Sequence, residues 1–419
     1  MHNLKEIRKD FASFKKALEK RSLDIDFKKL EDLDFQNREL IQKKELLEKE
    51  KKDISKSKDK SLYEKSKEIS LSIEKISKKQ KIVKMSLDEI LSNIPNIPHG
   101  DVPKGKDDND NVEIKKSGNI PKFDFKPKSH YELGEKLGML DFDLATKTTG
   151  SRFVFVKNKL ALLERAISNF MLDTHITKNG YEEISPPLLA SENTMFGTGQ
   201  LPKFEEDLFK TNFNDLYLIP TSEVPLTNLN RDSIIDKKHM PLKYTTYTNC
   251  FRAEAGASGT DTKGLMREHQ FGKVELVTIS EPEQSDKELN NMIICVENIL
   301  KKLSIPYRIV ELCSGDIGFS SSYTLDIEIW MPGQNKYREV SSCSNCTDFQ
   351  SRRMKMRIKN FENGEIYYPH TLNGSSLAIG RLLISILENY QNEDGTIKIP
   401  SILKEYTNGL SIISNDKKI

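Results

Sequence analysis

Residues 248–276, TNCFRAEAGASGTDTKGLMREHQFGKVEL, hold two apolar-alternating runs around a glycine-rich loop, with an arginine and a carboxylate at the end of the first run. That layout suits a nucleotide lying across a strand pair. Side chains alternate faces along a strand, so Phe271, Lys273 and Glu275 point one way while Gly272, Val274 and Leu276 point the other. One face is polar and aromatic, and the other can enter a core. At about 3.3 Å per residue, Phe271 and Glu275 stand roughly 13 Å apart on their face. An aromatic at one end can stack a purine while a carboxylate at the other holds an amine. The same parity puts Arg252 and Glu254 on one face of the first run. There the guanidinium fork can bind phosphate oxygens and the carboxylate can accept an amino hydrogen.

At 419 residues the chain exceeds what one core usually holds, so two domains are expected. Residues 1–95 are rich in Lys, Glu, Ser, Leu and Ile, whereas Cys250, Cys295, Cys313, Cys343 and Cys346 all come later. Residues 51–84 carry 12 Lys against 5 Asp/Glu, which is 12 − 5 = +7, a basic patch suited to nucleic acid. The start, MHNLKEIRKDF, has no apolar targeting segment, and nowhere do 18 apolar residues run together, so a soluble, cytoplasmic chain with no membrane association is expected. An odd, sparse set of cysteines argues against a disulfide framework. Cys343-x-x-Cys346 offers two of the four ligands of a zinc site, with neither a second CxxC nor a His pair nearby. No zinc is expected, and the thiols read as buried.

From Phe27 to Leu91 the apolar residues are sparse and helically spaced: Leu30, Leu33, Leu40 and Leu47 going out, then Leu62, Ile69, Ile73, Ile76, Val83, Leu87 and Ile90 returning. The break falls at SKSKDKS, residues 55–61, which has no apolar anchor and predicts a tight connection between antiparallel helices. A narrow apolar seam with wide polar flanks is the pattern of a two-stranded coiled coil. Residues 3–21 predict a helix packed at its base. Lys84-Met85-Ser86-Leu87-Asp88 superficially matches a class I synthetase loop, but Leu87 belongs to the seam and no HIGH sequence occurs.

The predicted domains are thus a coiled-coil arm at 1–95, a Pro-, Gly- and Asp-rich linker and domain entry at 96–130, and a second domain at 131–419. In that domain the spacing predicts a helix over 157–178, stopped by Gly180, and then YEEISPPLL, whose prolines belong at a sheet edge or bend. Strands are predicted over 216–219, 243–253, 270–279, 307–310, 322–330 and 337–341, mostly antiparallel, and a helix over 288–303. In NGSSLAIGRLLISILENYQ, Ser375 or Ser376 reads as the cap of a helix carrying Leu377, Leu382, Ile386 and Tyr390.

The stretch around Arg252, Glu254, Arg267 and Phe271 resembles motif 2 of the class II aminoacyl-tRNA synthetases. The helix–strand–proline run at about 157–190 resembles their motif 1, and 371–390, with Arg381, their motif 3; motif 2 spans about 243–279. GTGQLPKF at 197–204, IPTSEVPLTN at 219–228, HQFGKVE at 269–275, REVSSCSN at 338–345 and HTLNGSSLAIGR at 370–381 together resemble the seryl branch of that family, in its common bacterial type. The resemblance covers essentially the whole chain. It implies an α+β fold, with the antiparallel two-helix arm followed by a class II catalytic domain whose mainly antiparallel sheet is flanked by helices.

The resemblance also implies an ATP-dependent, AMP-forming ligase that activates L-serine and loads it onto serine tRNA; selenocysteine tRNA is a further candidate. By the family pattern Thr221, Ser222, Glu223, Arg252, Glu275 and Ser375 bind serine. Two carboxylates and several hydroxyls can hold an ammonium and a small alcohol, without deciding which carboxylate takes the amine. ATP falls to Arg252, Ala253, Glu254, Arg267, Phe271, Glu339, Val340, Ser341, Ser342 and Arg381. Arg252 and Arg381 are the catalytic cations at the α- and γ-phosphates, and Glu339 with Ser342 holds Mg²⁺ that arrives with ATP. Motif 1 implies a homodimer and the arm a grip on tRNA. Serine-activating relatives that load a carrier protein lack such an arm, a catalytically dead paralogue would not need all five motif residues intact, and neither GxxxxGK[ST] nor GxGxxG occurs.

Overall fold

The computed structural model describes residues 1–21, 25–255 and 264–415. The chain divides into two compact units, Met1–Pro95 and Asn96–Ile419.

The first unit is helical. Short helices α1 (Leu4–Lys9) and α2 (Phe11–Glu19) precede two 31-residue helices, α3 (Phe27–Ser57) and α4 (Tyr63–Asn93). Where the spacing predicts one basal helix there are two, because the Asp10 carboxylate accepts the N–H of Ser13 and starts a new helix. The turn between the long helices runs through Lys58 in the left-handed region and a 3₁₀ turn at Lys60–Leu62, slightly later than predicted. Leu30, Leu40, Ile69, Val83, Leu87 and Leu91 are buried along the seam. Asn37 interrupts it, accepting a 2.9 Å hydrogen bond from Gln80, the kind of buried polar pair that fixes helix register. Asp34, 6 % exposed, is held by Arg8 at 2.8 Å and Arg38 at 3.1 Å, tying α1 to α3.

The second unit is built on an eight-stranded sheet. Its strands are β1 (Val112–Ser117), β2 (Glu182–Glu183), β3 (Leu242–Phe251), β4 (Gln270–Ser280), β5 (Tyr307–Glu311), β6 (Tyr323–Met331), β7 (Lys336–Asn345) and β8 (His370–Ala378). The order is β1-β5-β6-β7-β8-β4-β3-β2, antiparallel except for β2 with β3. Helices α5 (His130–Leu137), α6 (Asn158–Asn179), α7 (Ser285–Lys302) and α8 (Ile379–Asn389) join it. Val274, Leu276, Ile327, Ile329 and Leu377 from the sheet share a buried core with Leu163, Ile167, Val296, Ile299, Leu382 and Ile386 from α6, α7 and α8. An antiparallel sheet needs only one apolar face, and the other is left for chemistry.

Two expectations are corrected. The stretch 96–130 contains β1, which pairs with β5 at the sheet edge; its side chains are exposed over nearly its whole length, so it lacks the alternation that marks a half-buried strand. And Ser375, Ser376 and Leu377 lie in β8, with helix α8 starting only at Ile379. Cross-strand pairing with β4 overrides the local capping chemistry. The register slips between Ser375 and Leu377, so two residues of β8 oppose one step of β4, a bulge of the kind found beside active sites. Ser376 consequently meets His175 of α6 at 2.6 Å in the interior, while Ser375 lines the cleft on the other side.

Candidate active site

β3 and β4 run side by side from Leu242 opposite Ile279 to Phe251 opposite Gln270, and β8 continues the sheet beyond β4, pairing Ser375 with Glu275 and Ala378 with Lys273. Over one face of these strands lies a cleft of adjoining hollows, of about 830 and 530 Å³ with a smaller one between, all lined by Arg267, Glu339 and Arg381. Among the described residues these hollows also gather Thr221, Glu223, Arg252, Glu254, Phe271, Val340, Ser342 and Ser375. Residues 256–263, most of the loop between the two motif 2 strands, lie outside the described residues.

Arg252 stands just past the end of β3, so the strand parity used to place it stops one residue short. Its position is set by the hairpin mouth instead: its N–H donates to the His269 carbonyl at 3.0 Å, and its carbonyl meets His269 Nδ1 at 3.0 Å. The guanidinium donates from Nε to the Pro220 carbonyl at 3.2 Å and lies 5.2 Å from the centroid of the Phe271 ring. Glu254 reaches the cleft through a left-handed backbone, φ 49°, rather than through strand alternation. Its Oε2 accepts from Arg267 at 3.0 Å. Ala253 donates its N–H to Asp207 at 2.9 Å.

Further along β4, Lys273 and Glu275 form one cluster with Thr221 from a separate segment; the three are 5 %, 1 % and 5 % exposed. Lys273 Nζ donates to Thr221 Oγ1 at 2.7 Å and also contacts Glu275 Oε2; Thr221 in turn donates to the same Oε2 at 2.8 Å. Glu223 stands apart, its Oε1 taking hydrogen bonds from Gln350 at 2.6 Å and Asn373 at 3.1 Å. Burial, reinforced by the charge of Glu275, pushes the Glu223 carboxyl up to about 7.

A carboxyl whose ordinary value of 4.5 rises to about 7 on folding binds its proton more tightly in the folded state. Its contribution to stability is present below about 4.5 and is lost as pH rises toward 7. Glu223→Gln, which keeps the neutral shape, is therefore expected to shrink the fall in Tm between pH 5 and pH 7.5. An undiminished fall in the variant would refute the assignment.

The remaining expected residues divide. Arg381 pairs with Glu339, its Nη1 donating to the carbonyl at 2.9 Å and to Oε2 at 3.1 Å. Ser342 sits across from Asp326 of β6, whose Oδ1 is buried without a hydrogen-bond partner among the described residues. Burial, with Glu339 nearby, holds the Asp326 carboxyl well above its usual range. Two hydroxyls are not brought into the cleft: Ser222, fully buried, meets Thr248, and Ser341, 1 % exposed, donates to the carbonyl of Ser375. The sequence reading missed three side chains that shape the site, namely Lys273, Gln350 and Asn373. Alternation along β4 carried the signal for Lys273. The two amides meet Glu223 only through the fold.

The downstream end of the motif 2 loop has its own anchor. His130, 2 % exposed, accepts the Leu265 N–H at Nε2 over 3.2 Å, so its Nδ1 carries the hydrogen directed at Glu388 Oε1, 3.0 Å away. Glu388 also takes the N–H of His130 at 2.9 Å and that of Gly333 at 2.9 Å. A fully satisfied buried network of this kind rigidifies the backbone it holds, here two residues before Arg267.

Comparison with known proteins identifies the family. Residues 203–390 match the family described as tRNA synthetase class II core domain (G, H, P, S and T), and residues 1–98 match the seryl-tRNA synthetase N-terminal domain. The chain is 61% identical to the serine--tRNA ligase of Pelagibacter ubique over 99% of both chains, and 55% identical to that of Caldanaerobacter subterraneus over 76% of this chain and 75% of that one. Among solved structures, the seryl-tRNA synthetase of Pyrococcus horikoshii complexed with ATP superposes with a TM-score of 0.91 at 36% identity, covering 99% of each chain. Full-length identity at this level, on a class II sheet whose cleft holds the motif 2 and motif 3 arginines, places the chain in the seryl-tRNA synthetase family, the serine--tRNA ligases among class II aminoacyl-tRNA synthetases.

Proposed function

We propose that the chain activates L-serine with ATP, forming seryl-adenylate and pyrophosphate, and then transfers serine to the 3′-terminal adenosine of serine tRNA. The observation that carries this reading is the placement of two ligand ends on one strand face. Arg252 over Phe271 suits phosphate and adenine, and the Thr221–Lys273–Glu275 cluster two strand steps away suits an amino acid.

The serine carboxylate attacks the α-phosphorus, and the bond to pyrophosphate breaks; no protein nucleophile is required, so the chain's task is alignment and charge neutralisation. Arg252 takes the α-phosphate, Arg267 and Arg381 the pyrophosphate side, and Glu254 with Phe271 the adenine. Thr221, Glu223, Glu275 and Ser375 form the serine pocket. A buried site built to hydrogen-bond the substrate hydroxyl rejects alanine by about 10⁴-fold, because its polar groups would be left unpaired.

Among the described residues no three His, Cys, Asp or Glu side chains gather into a metal cage. Mg²⁺ usually needs only one or two carboxylates beside substrate phosphates. Glu339 and Ser342, with the unpartnered oxygen of Asp326 opposite, fit such an ion. When bound, it would supply positive charge to the phosphates.

The arm, residues 1–95, is read as the grip on tRNA. Its long lysine-rich helices can hold an RNA helix by phosphates and shape, since side chains do not enter the deep RNA major groove. The motif 1 segment, α6 and the prolines after β2, is read as the homodimer surface. The loop 255–266 is read as meeting the acceptor end of the tRNA. Among the described residues no helix is long and apolar enough to cross a membrane, and all five cysteines are buried and outside any disulfide. Cysteines outside disulfides suit a reducing compartment, and we place the chain in the cytoplasm.

ATP–pyrophosphate exchange measured with each of the twenty amino acids tests the reading. Serine alone is expected to drive exchange strongly, and a comparable response to alanine or threonine would overturn the pocket assignment.

A further inference from the structure

We infer that Lys273 is a substrate-contacting residue of the activation step, which gives up Glu275 to the serine ammonium and turns its own ammonium onto the serine carboxylate. This rests on the placement of serine between Thr221 and Glu275.

Lysine is almost never fully buried unless paired. Lys273 is 5 % exposed, and the two groups that satisfy it, Thr221 Oγ1 and Glu275 Oε2, belong to the pocket that the serine ammonium would enter. Two ammonium groups cannot share one oxygen without repulsion. The serine ammonium comes with a carboxylate one carbon away, so the group that displaces Lys273 also offers it a new partner.

Geometry puts that partner within reach. Lys273 is midway along the strand face from Phe271 to Glu275, about 6.6 Å of backbone from each. If adenine stacks at Phe271 and the amine lies at Glu275, the middle of the face is where the serine carboxylate meets the α-phosphate. Both are anions, and they must come into bonding distance. Arg252 lies toward the phosphate end, over Phe271. Lys273 supplies the second cation, on the nucleophile's side, and its long stem with a rotatable ammonium can move where a planar guanidinium would be held.

The step stays balanced with no other reactant. One serine carboxylate oxygen bonds to the α-phosphorus, the bond from that phosphorus to the bridging oxygen breaks, and pyrophosphate leaves with the electron pair. Lys273 transfers no proton; once turned onto the serine carboxylate it lowers the repulsion between two anions and orients one of them, an electrostatic contribution to the step.

The test uses the full chain, wild type and Lys273→Met, a neutral side chain of similar length, with binding of serine and of serinol. Serinol keeps the amine and hydroxyl but has a second CH₂OH in place of the carboxylate. Serine affinity is expected to fall ~10²-fold in the variant, as for loss of a buried charge-assisted contact, while serinol affinity holds or rises because a competing ammonium has gone. kcat for serine-dependent exchange is expected to fall ~10²-fold or more with KM for ATP unchanged. Equal loss of both ligands would mean that Lys273 only braces the pocket, and no change in either would mean that it faces neither; both results overturn the inference. Should Lys273→Met fail to fold, Lys273→Gln replaces it in the same comparison. A wild-type chain that gives no exchange with serine would refute the serine reading itself, a result distinct from failure of the lysine assignment.

Discussion

Arg252→Ala is expected to lower serine-dependent ATP–pyrophosphate exchange by ~10³-fold or more, a loss of about 4 kcal/mol of transition-state stabilisation, with little change in Tm. The size follows from what the guanidinium faces. In the activation step charge builds on the α-phosphate between two anionic groups, and Arg252 lies over the Phe271 ring at the end of the strand face proposed for phosphate. The fold does not depend on its head group: among the described residues the guanidinium donates only to the Pro220 carbonyl, whereas the backbone is clamped separately by His269. Stability and activity should therefore part company. Arg252→Lys keeps the charge but loses the fork, and an intermediate loss of roughly 10- to 100-fold is expected. The measurement is exchange rate against ATP and serine, with Tm alongside. Near-normal exchange by Arg252→Ala would remove the residue from the phosphate site.

How far such a site could be read beforehand depends on the distance in sequence over which its contacts form. The β3–β4 pair was legible to within about two residues because both are long runs set off by a glycine-rich loop, although β4 is buried on both faces from Gly272 onward. Alternation also placed Phe271, Lys273 and Glu275 on one face. It could not reveal that Lys273 and Glu275 share Thr221, which comes from a separate segment 52 and 54 residues earlier. The amides that hold Glu223 are further still, 127 and 150 residues away.

Local chemistry also misled. NGSSL carries the serine and the apolar spacing of a helix start, yet its neighbours in space are β4 and β7, and ladder pairing decided the matter. Strand β1 failed in the opposite sense: an exposed edge strand needs no apolar face, so nothing in VEIKKS distinguished it from linker. The parity that put Arg252 and Glu254 together gave a usable answer for an incorrect reason, since β3 ends at Phe251 and the backbone turns left-handed at Glu254. Motif resemblance does not depend on a regular backbone, because it records side-chain identity.

Shortening the arm is expected to separate the two steps of the reaction. Asn37 faces Gln80, and Glu50 faces Lys65, so residues 42 and 75 lie at nearly matching heights on α3 and α4. Replacing 42–75 by a short glycine-containing turn keeps the Arg8–Asp34–Arg38 base and the Asn37–Gln80 pair while removing the outer lysine-rich part. The catalytic unit has its own buried core, so serine-dependent exchange should stay within about twofold of wild type, because none of the removed residues contributes to that core. Charging of serine tRNA should fall at least ~10²-fold in kcat/KM, since the phosphate contacts proposed for the arm would be lost together. A milder variant tests the electrostatics alone. With Lys51, Lys52, Lys56, Lys58 and Lys60 changed to Gln in the full-length chain, KM for tRNA should rise and its salt dependence should flatten. Each lost phosphate contact should reduce the slope of log affinity against log salt by roughly 0.7–0.9. Normal charging by the shortened chain would show that the catalytic unit selects tRNA without the arm. An unchanged salt slope in the lysine variant would instead mean that the arm reads shape without those charges, and the basic turn between α3 and α4 would need another explanation.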